Sequence, residues 1–223
     1  MSEGARFFHE GLAERFAPAG VDGWLVPELV DAQASVAAAF ASAARVPSVF
    51  VEDALDAVRA RAIKLALSAA HFVPHHHAAY PLHIARREEQ PNDSALARFM
   101  DWLARPATAR LHLGLVGLPT DRHLTQIQVQ VSRMTEGEQF PSHVDTGEPA
   151  LACIYNFTED LGDNDGGALC FVSDHGVRDV IIPPWFNSVS YFLSTHAAHE
   201  VTTVTKPGAL RYSATAFYVW APP

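Results

Sequence analysis

The sequence predicts a mostly-β chain with an N-terminal helical layer, the second half closing into a small β-barrel or sandwich. Three observations carry that expectation. The first half holds alanine-rich stretches with apolar residues at helical spacing. After residue 118 the period changes to two, and six or seven short apolar segments follow, separated by turn residues. One of these, TQIQVQVS, sets Ile127, Val129 and Val131 on one face and Gln126, Gln128, Gln130 and Ser132 on the other. A wholly apolar core would not accept that polar face, whereas a barrel holding a polar ligand would. Gln128 and Gln130 are therefore expected to point into the barrel, toward substrate.

Taken in order, PELVDAQASVAAAFASAAR opens with Pro27 at a first-turn position and predicts a helix. VEDALDAVRARAIKLALSAAHF predicts a second, with Ala54, Leu55, Val58, Ala62, Leu65 and Ala69 at helical spacing. VPHHHAAYPLHIARREEQPND reads as an exposed loop, because three adjacent histidines rarely converge on one ion; over a barrel mouth such a loop can touch substrate. SALARFMDWLAR predicts a third helix with Ser94 as N-cap and Pro106 beyond its end. The strands TQIQVQVS, ALACIYNF, GALCFV, DVIIP, SVSYFL, HEVTTV and LRYSATAFYVW follow. DLGDNDGG reads as a hairpin turn: alignment to a calcium loop puts Leu161 at the first ligand position and Val172 where a glutamate belongs. Trp185 is expected to pack under the barrel. At 223 residues the chain suits one domain, with 1–118 as helical support and 119–223 as the β core.

The formal net charge is −9, and its 16 basic residues are dispersed, so no nucleic-acid or membrane footprint is expected. The opening MSEGARFFHEGLAERF lacks a signal-peptide apolar core, and no apolar run reaches membrane-spanning length. Cys153 and Cys170 sit in apolar stretches and read as buried thiols, which fits a cytoplasmic protein.

The chemistry-bearing residues lie in the second half. In FPSHVD, His143 and Asp145 are two apart and could reach one ion together; alone, the pair could equally be a capped turn. STHAAHEVTTV offers His196 and His199 as a third ligand, and His199 is preferred because it opens an alternating strand. Two histidines and a carboxylate on one face leave open positions on the ion, the arrangement of non-haem Fe(II) oxygenases. Arg211 interrupts an otherwise apolar strand and shares a face with Ser213 and Thr215. It could snorkel at a rim or pair with an acidic residue, or it could clamp a ligand carboxylate with help from Ser213.

The order His-x-Asp, His-Glu-Val, Arg-x-Ser resembles the iron(II)/2-oxoglutarate-dependent dioxygenase superfamily, and within it the prolyl 4-hydroxylase-like branch. VQVSRMTEGEQFPSHVD, IYNFTEDLGDNDGGALCF and FMDWLARPATARLHLGLVGLP carry the resemblance to that branch. It implies a double-stranded β-helix (jelly-roll) with helices on one sheet, Fe(II) on His143, Asp145 and His199, and the far carboxylate of 2-oxoglutarate on Arg211 and Ser213. It further implies dioxygen as co-substrate, ascorbate as support, and hydroxylation of a peptidyl residue, amino acid or small natural product. Asp145 in place of a small residue points to hydroxylation over halogenation. Two departures concern the substrate. Met134 stands where the branch commonly has a tyrosine, with Tyr155 as candidate replacement, and an arginine stands where prolyl 4-hydroxylases carry lysine. A zinc hydrolase using the same ligands and a non-enzymatic barrel binding a small acid are the competing expectations.

Overall fold

The helical layer forms where proline, alanine and caps direct it, with one break and one change of face. The computed structural model describes residues 6–7, 23–43, 46–77, 80–145, 147–173 and 175–222; most of the N-terminal stretch read for a signal peptide lies outside them. The first expected helix is two, α1 (Pro27–Asp31) and α2 (Gln33–Ser42), divided at Ala32. The second, α3 (Ala57–Ala69), starts after Asp56, whose side chain accepts a hydrogen bond from Arg59 N at 3.0 Å. Ala54 and Leu55 precede this helix, and its buried residues are Ala60, Ile63 and Leu67. Val58 and Leu65, part of the expected stripe, are 76% and 71% exposed. α4 (Ala95–Leu103) is capped by Ser94 Oγ, which accepts from Ala97 N, and Pro106 opens α5 (Pro106–Leu115).

The strands are β1 (Arg6–Phe7), β2 (Ser48–Val51), β3 (Val73–His77), β4 (Tyr80–Ala85), β5 (Leu124–Thr135), β6 (Phe140–His143), β7 (Ala150–Asn156), β8 (Leu169–Val172), β9 (Arg178–Ile182), β10 (Ser188–Leu193), β11 (His199–Val201) and β12 (Leu210–Trp220). They form an eight-stranded sheet, β1-β2-β10-β7-β12-β5-β4-β3, and a four-stranded sheet, β6-β11-β8-β9. Together they make the jelly-roll. Two sequence expectations are corrected here. The histidine-rich "loop" is a β3–β4 hairpin whose second strand pairs with β5, Ile84 opposite Ser132. The acidic DLGDNDGG segment is no hairpin turn, since β7 and β8 lie in different sheets and the chain crosses between them there.

The main core fills the space between the helices and the outer face of the large sheet. Ile63, Leu67, Phe99, Trp102 and Leu113 from the helices meet Val131, Tyr155, Tyr191, Ala214 and Tyr218 from the strands. Cys153 and Cys170 are buried free thiols, and burial pushes Cys170 up to about 11. Trp185 packs edge-on against Phe50, 5.8 Å between ring centroids.

At the centre of this core His112 of α5 is sealed between two tyrosines. Its Nδ1 lies 3.0 Å from Tyr191 Oη and its Nε2 3.2 Å from Tyr155 Oη, while its ring stacks on Tyr218. Burial lowers its pKa from 6.5 to about 3, so it is neutral in the fold. Between those values the unfolded chain binds a proton that the native chain refuses. Stability is thus full above the unfolded pKa and falls as pH drops toward 3, by about 1.4 kcal/mol per pH unit. In urea titrations from pH 7 to pH 4, the stability of the wild type is expected to fall toward that of His112→Gln with this slope. A stability gap independent of pH would show that His112 titrates normally.

Candidate active site

The two sheets enclose a cavity of about 740 Å³, and the even-numbered residues of β5 and odd-numbered residues of β12 line it. On β5 these are Gln126, Gln128, Gln130, Ser132 and Met134; on β12 they are Arg211, Ser213, Thr215, Phe217 and Val219. Their chain neighbours Ile127, Val129, Val131, Tyr212, Ala214 and Tyr218 pack in the main core. The period-two pattern therefore faces as expected, with both glutamines turned toward the cavity. Gln126 joins them, and His75 reaches the cavity from the hairpin.

His143 ends β6 and His199 begins β11, and the two are directly opposed in the antiparallel pair. Opposed residues share a face, which brings the rings to 4.3 Å between centroids. Each ring holds its Nδ1 against the carbonyl two residues earlier, Pro141 O at 2.9 Å and Ala197 O at 3.1 Å. A proton fixed on Nδ1 by a carbonyl leaves Nε2 as the ligating atom. Asp145 lies just beyond the end of β6 rather than within a strand, with Oδ1 3.5 Å from His143 Nε2. One ligand atom from each of the three lies within 4.8 Å of the others. His196 is not in this cluster and sits in the preceding turn beside Thr195 Oγ1.

The electrostatics suit a cation. Burial opposes the charge of Asp145, but His143, the Ser194 hydroxyl and the neighbouring imidazoles hold its carboxyl below the usual range. Burial pushes His199 down, favouring the neutral ring that a metal needs. At His143 burial also opposes charge, but Asp145 and the Pro141 carbonyl outweigh it and raise the pKa. Two imidazole nitrogens and one carboxylate oxygen fit iron(II) or zinc, and they come from one side, leaving the cavity side open.

Deeper in the cavity lies Arg211, 3% exposed. Its Nε donates to Gly167 O at 2.7 Å, Nη1 to Ser213 Oγ at 3.1 Å and Nη2 to Asn156 Oδ1 at 3.4 Å. Every partner is neutral, and burial alone lowers its pKa to about 10. A guanidinium has five N–H groups; these bonds use three, and Nη1 makes a fourth, to the weakly accepting Met134 Sδ at 4.0 Å. Donor capacity thus remains at Nη2 and, by displacement of the weak sulfur contact, at Nη1, which suits a carboxylate.

The seat for this arginine explains the Gly-Gly pair. Gly166 has φ +76°, and a Cβ there would lie 1.7 Å from Thr203 O. Gly167 has φ +72°, and its Cβ would press the Arg211 side chain at 3.1 Å. Only glycine permits both the left-handed turn and this close approach.

Tyr155 corrects an expectation. It sits on the core face of β7, 1% exposed and bonded to His112, while its neighbour Ile154 lines the cavity. It cannot reach a ligand held by Arg211, because successive strand residues face opposite ways. The position beside Arg211 is filled by Met134 itself, Sδ 4.0 Å from Nη1, and by Ser132, whose Oγ lies 2.9 Å from Ser213 Oγ. Ser132, Met134, Asn156 and Gly167 were not singled out from the sequence as ligand-site residues. The signal for two of them was present: Ser132 and Asn156 are the direct cross-strand partners of Ser213.

Residues 129–219, from β5 to the end of β12, match the family model of the 2OG-Fe(II) oxygenase superfamily. The strand-rich second half of the chain is therefore similar to those oxygenases. The chain is similar in fold to a prolyl-4-hydroxylase of Pseudomonas putida, with TM-score 0.65 and 18% identity over 85% of this chain and 100% of that one. A prolyl hydroxylase of Trichoplax adhaerens, in complex with a hypoxia inducible factor peptide fragment, gives TM-score 0.65 at 14% identity over 86% and 90% of the two chains. The epimerase SnoN from nogalamycin biosynthesis gives 0.57 at 16% over 86% and 84%. No curated protein matches the sequence. The matched family uses Fe(II) and 2-oxoglutarate, and the donor set above fits both. Among the described residues, no helix is long and apolar enough to cross a membrane.

Proposed function

We propose that this chain holds Fe(II) on His143, Asp145 and His199, anchors the far carboxylate of 2-oxoglutarate on Arg211 and Ser213, and hydroxylates an unactivated C–H bond. Residues 1–118 support, and residues 119–223 form, the catalytic core of one domain. With the metal bound, Fe(II), 2-oxoglutarate and dioxygen supply the oxidant as the keto acid becomes succinate and carbon dioxide.

The observation that carries this reading is Arg211: a fully buried cation, faced only by neutral groups and aimed into the cavity that contains the ligand cluster. An uncompensated buried guanidinium is costly unless a ligand supplies the negative charge. A zinc hydrolase gives this residue no role. The chain's own residues then position the reactants: Arg211 fixes the keto acid and Gln128 and Gln130 offer amide donors and acceptors to the substrate. Solved relatives of the same fold bear on a peptide in one case and natural-product biosynthesis in another. The substrate is accordingly a peptidyl residue, an amino acid or a small natural product. The test is succinate formation from 2-oxoglutarate, strictly dependent on Fe(II) and supported by ascorbate. It is paired with untargeted mass spectrometry for a gain of one oxygen in metabolite pools and peptide lysates. Zinc-supported hydrolysis without succinate would overturn the proposal.

A further inference from the structure

We propose that Asn156 is a positioning residue for Arg211 and a charge filter for the co-substrate. Its neutral carboxamide aims the guanidinium without neutralising it, so the cavity selects an oxo acid with an anionic far end. The inference rests on the reading of Arg211 as the co-substrate anchor.

The supporting geometry is a row of polar residues across four adjacent strands. Ser132 on β5 is opposed to Ser213 on β12, Ser213 to Asn156 on β7, and Asn156 to Ser188 on β10. Directly opposed residues share a face, so the row runs beneath the arginine. Its hydrogen-bond directions are determined from one end. Ser188 Oγ donates its single hydrogen to Trp185 O at 2.6 Å, so toward Asn156 it can only accept. It accepts from Asn156 Nδ2 at 3.2 Å, which turns Oδ1 of the amide toward Arg211 Nη2. Asn156 and Ser188 are 2% and 0% exposed, so bulk water offers no alternative partners.

An aspartate at this position has nearly the same shape as asparagine but would meet Arg211 as a buried ion pair. The arginine's charge would then be satisfied inside the protein, and the incoming carboxylate would meet a neutral pair plus a nearby like charge. An alanine would remove the aim but leave the charge available.

The test measures binding calorimetrically on protein loaded with Mn(II) as a redox-silent metal. The probes are 2-oxoglutarate and 2-oxobutyrate, which keeps the metal-binding end and lacks the far carboxylate. Asn156→Asp is expected to weaken 2-oxoglutarate by roughly 30-fold and Asn156→Ala by roughly fivefold, with 2-oxobutyrate affinity and metal content unchanged in both. Ser188→Ala, which frees the amide to rotate its nitrogen toward Arg211, is expected to weaken 2-oxoglutarate roughly threefold and keeps the inference testable should Asn156→Asp not fold. Loss in Asn156→Ala equal to that in Asn156→Asp would overturn the charge filter, and unchanged affinity in Ser188→Ala would overturn the orienting relay. If Arg211→Ala loses 2-oxoglutarate while Asn156→Asp binds it as the wild type does, the inference fails and the anchor stands. If Arg211→Ala itself binds like the wild type, the anchor fails and takes the inference with it.

Discussion

His143→Ala, Asp145→Ala and His199→Ala are each expected to reduce 2-oxoglutarate turnover at least about a thousandfold, a loss of about 4 kcal/mol or more. The three ligand atoms converge from a strand end, a loop and a facing strand, so no neighbour can replace one of them. Metal content should fall with activity, measured as iron retained after anaerobic gel filtration. His196→Ala is the internal control and should keep most activity, because its ring lies outside the cluster. The opposite result, with His196→Ala dead and His199→Ala active, would show that the third ligand is wrongly assigned.

Arg211→Ala is expected to weaken 2-oxoglutarate binding by roughly 30-fold or more, corresponding to about 2–3 kcal/mol for a charge-assisted pair. Iron content should stay nearly unchanged, since none of the Arg211 contacts is a metal ligand. Arg211→Lys should fall between the two: an ammonium keeps the charge but loses the planar fork. Ser213→Ala should cost about 1 kcal/mol, the loss of one neutral partner. A folded, metal-loaded Arg211→Ala protein that binds 2-oxoglutarate normally would remove the co-substrate assignment and advance the hydrolase reading.

The parts of this fold that were legible in the sequence are those where one face is polar and the other apolar. TQIQVQVS alternates throughout and LRYSATAFYVW over Arg211, Ser213 and Thr215, and the structure seats their faces as the alternation requires. Helix α3 was legible as a helix but not in its orientation. Alanine, valine, isoleucine and leucine occur all around it, so the spacing of Val58 and Leu65 was as regular as that of the buried Ile63 and Leu67. The β3–β4 hairpin was hidden because prolines and histidines mask the extended backbone, and its pairing with β5 is a long-range fact. Tyr155 was misplaced for a related reason: ALACIYNF is apolar on both faces, so its period does not reveal which side a tyrosine takes. The partners of Arg211 required knowledge of register, since Asn156 is 55 residues away from it in sequence.

The alternation on β5 and β12 has an evolutionary consequence. Each strand carries two separable texts: Ile127, Val129, Ala214 and Tyr218 build the scaffold, while Gln126, Gln128, Gln130 and Val219 border the chamber. A mutation at any of the second group leaves the first group's contacts with the helices in place. Substrate preference can therefore drift by point substitutions at the chamber wall, at little risk to the fold. The row that aims Arg211 has no such freedom, because Ser132, Ser213, Asn156 and Ser188 each depend on the next. Descendants of this chain would be expected to diverge in what they oxidise long before they diverge in what they oxidise it with.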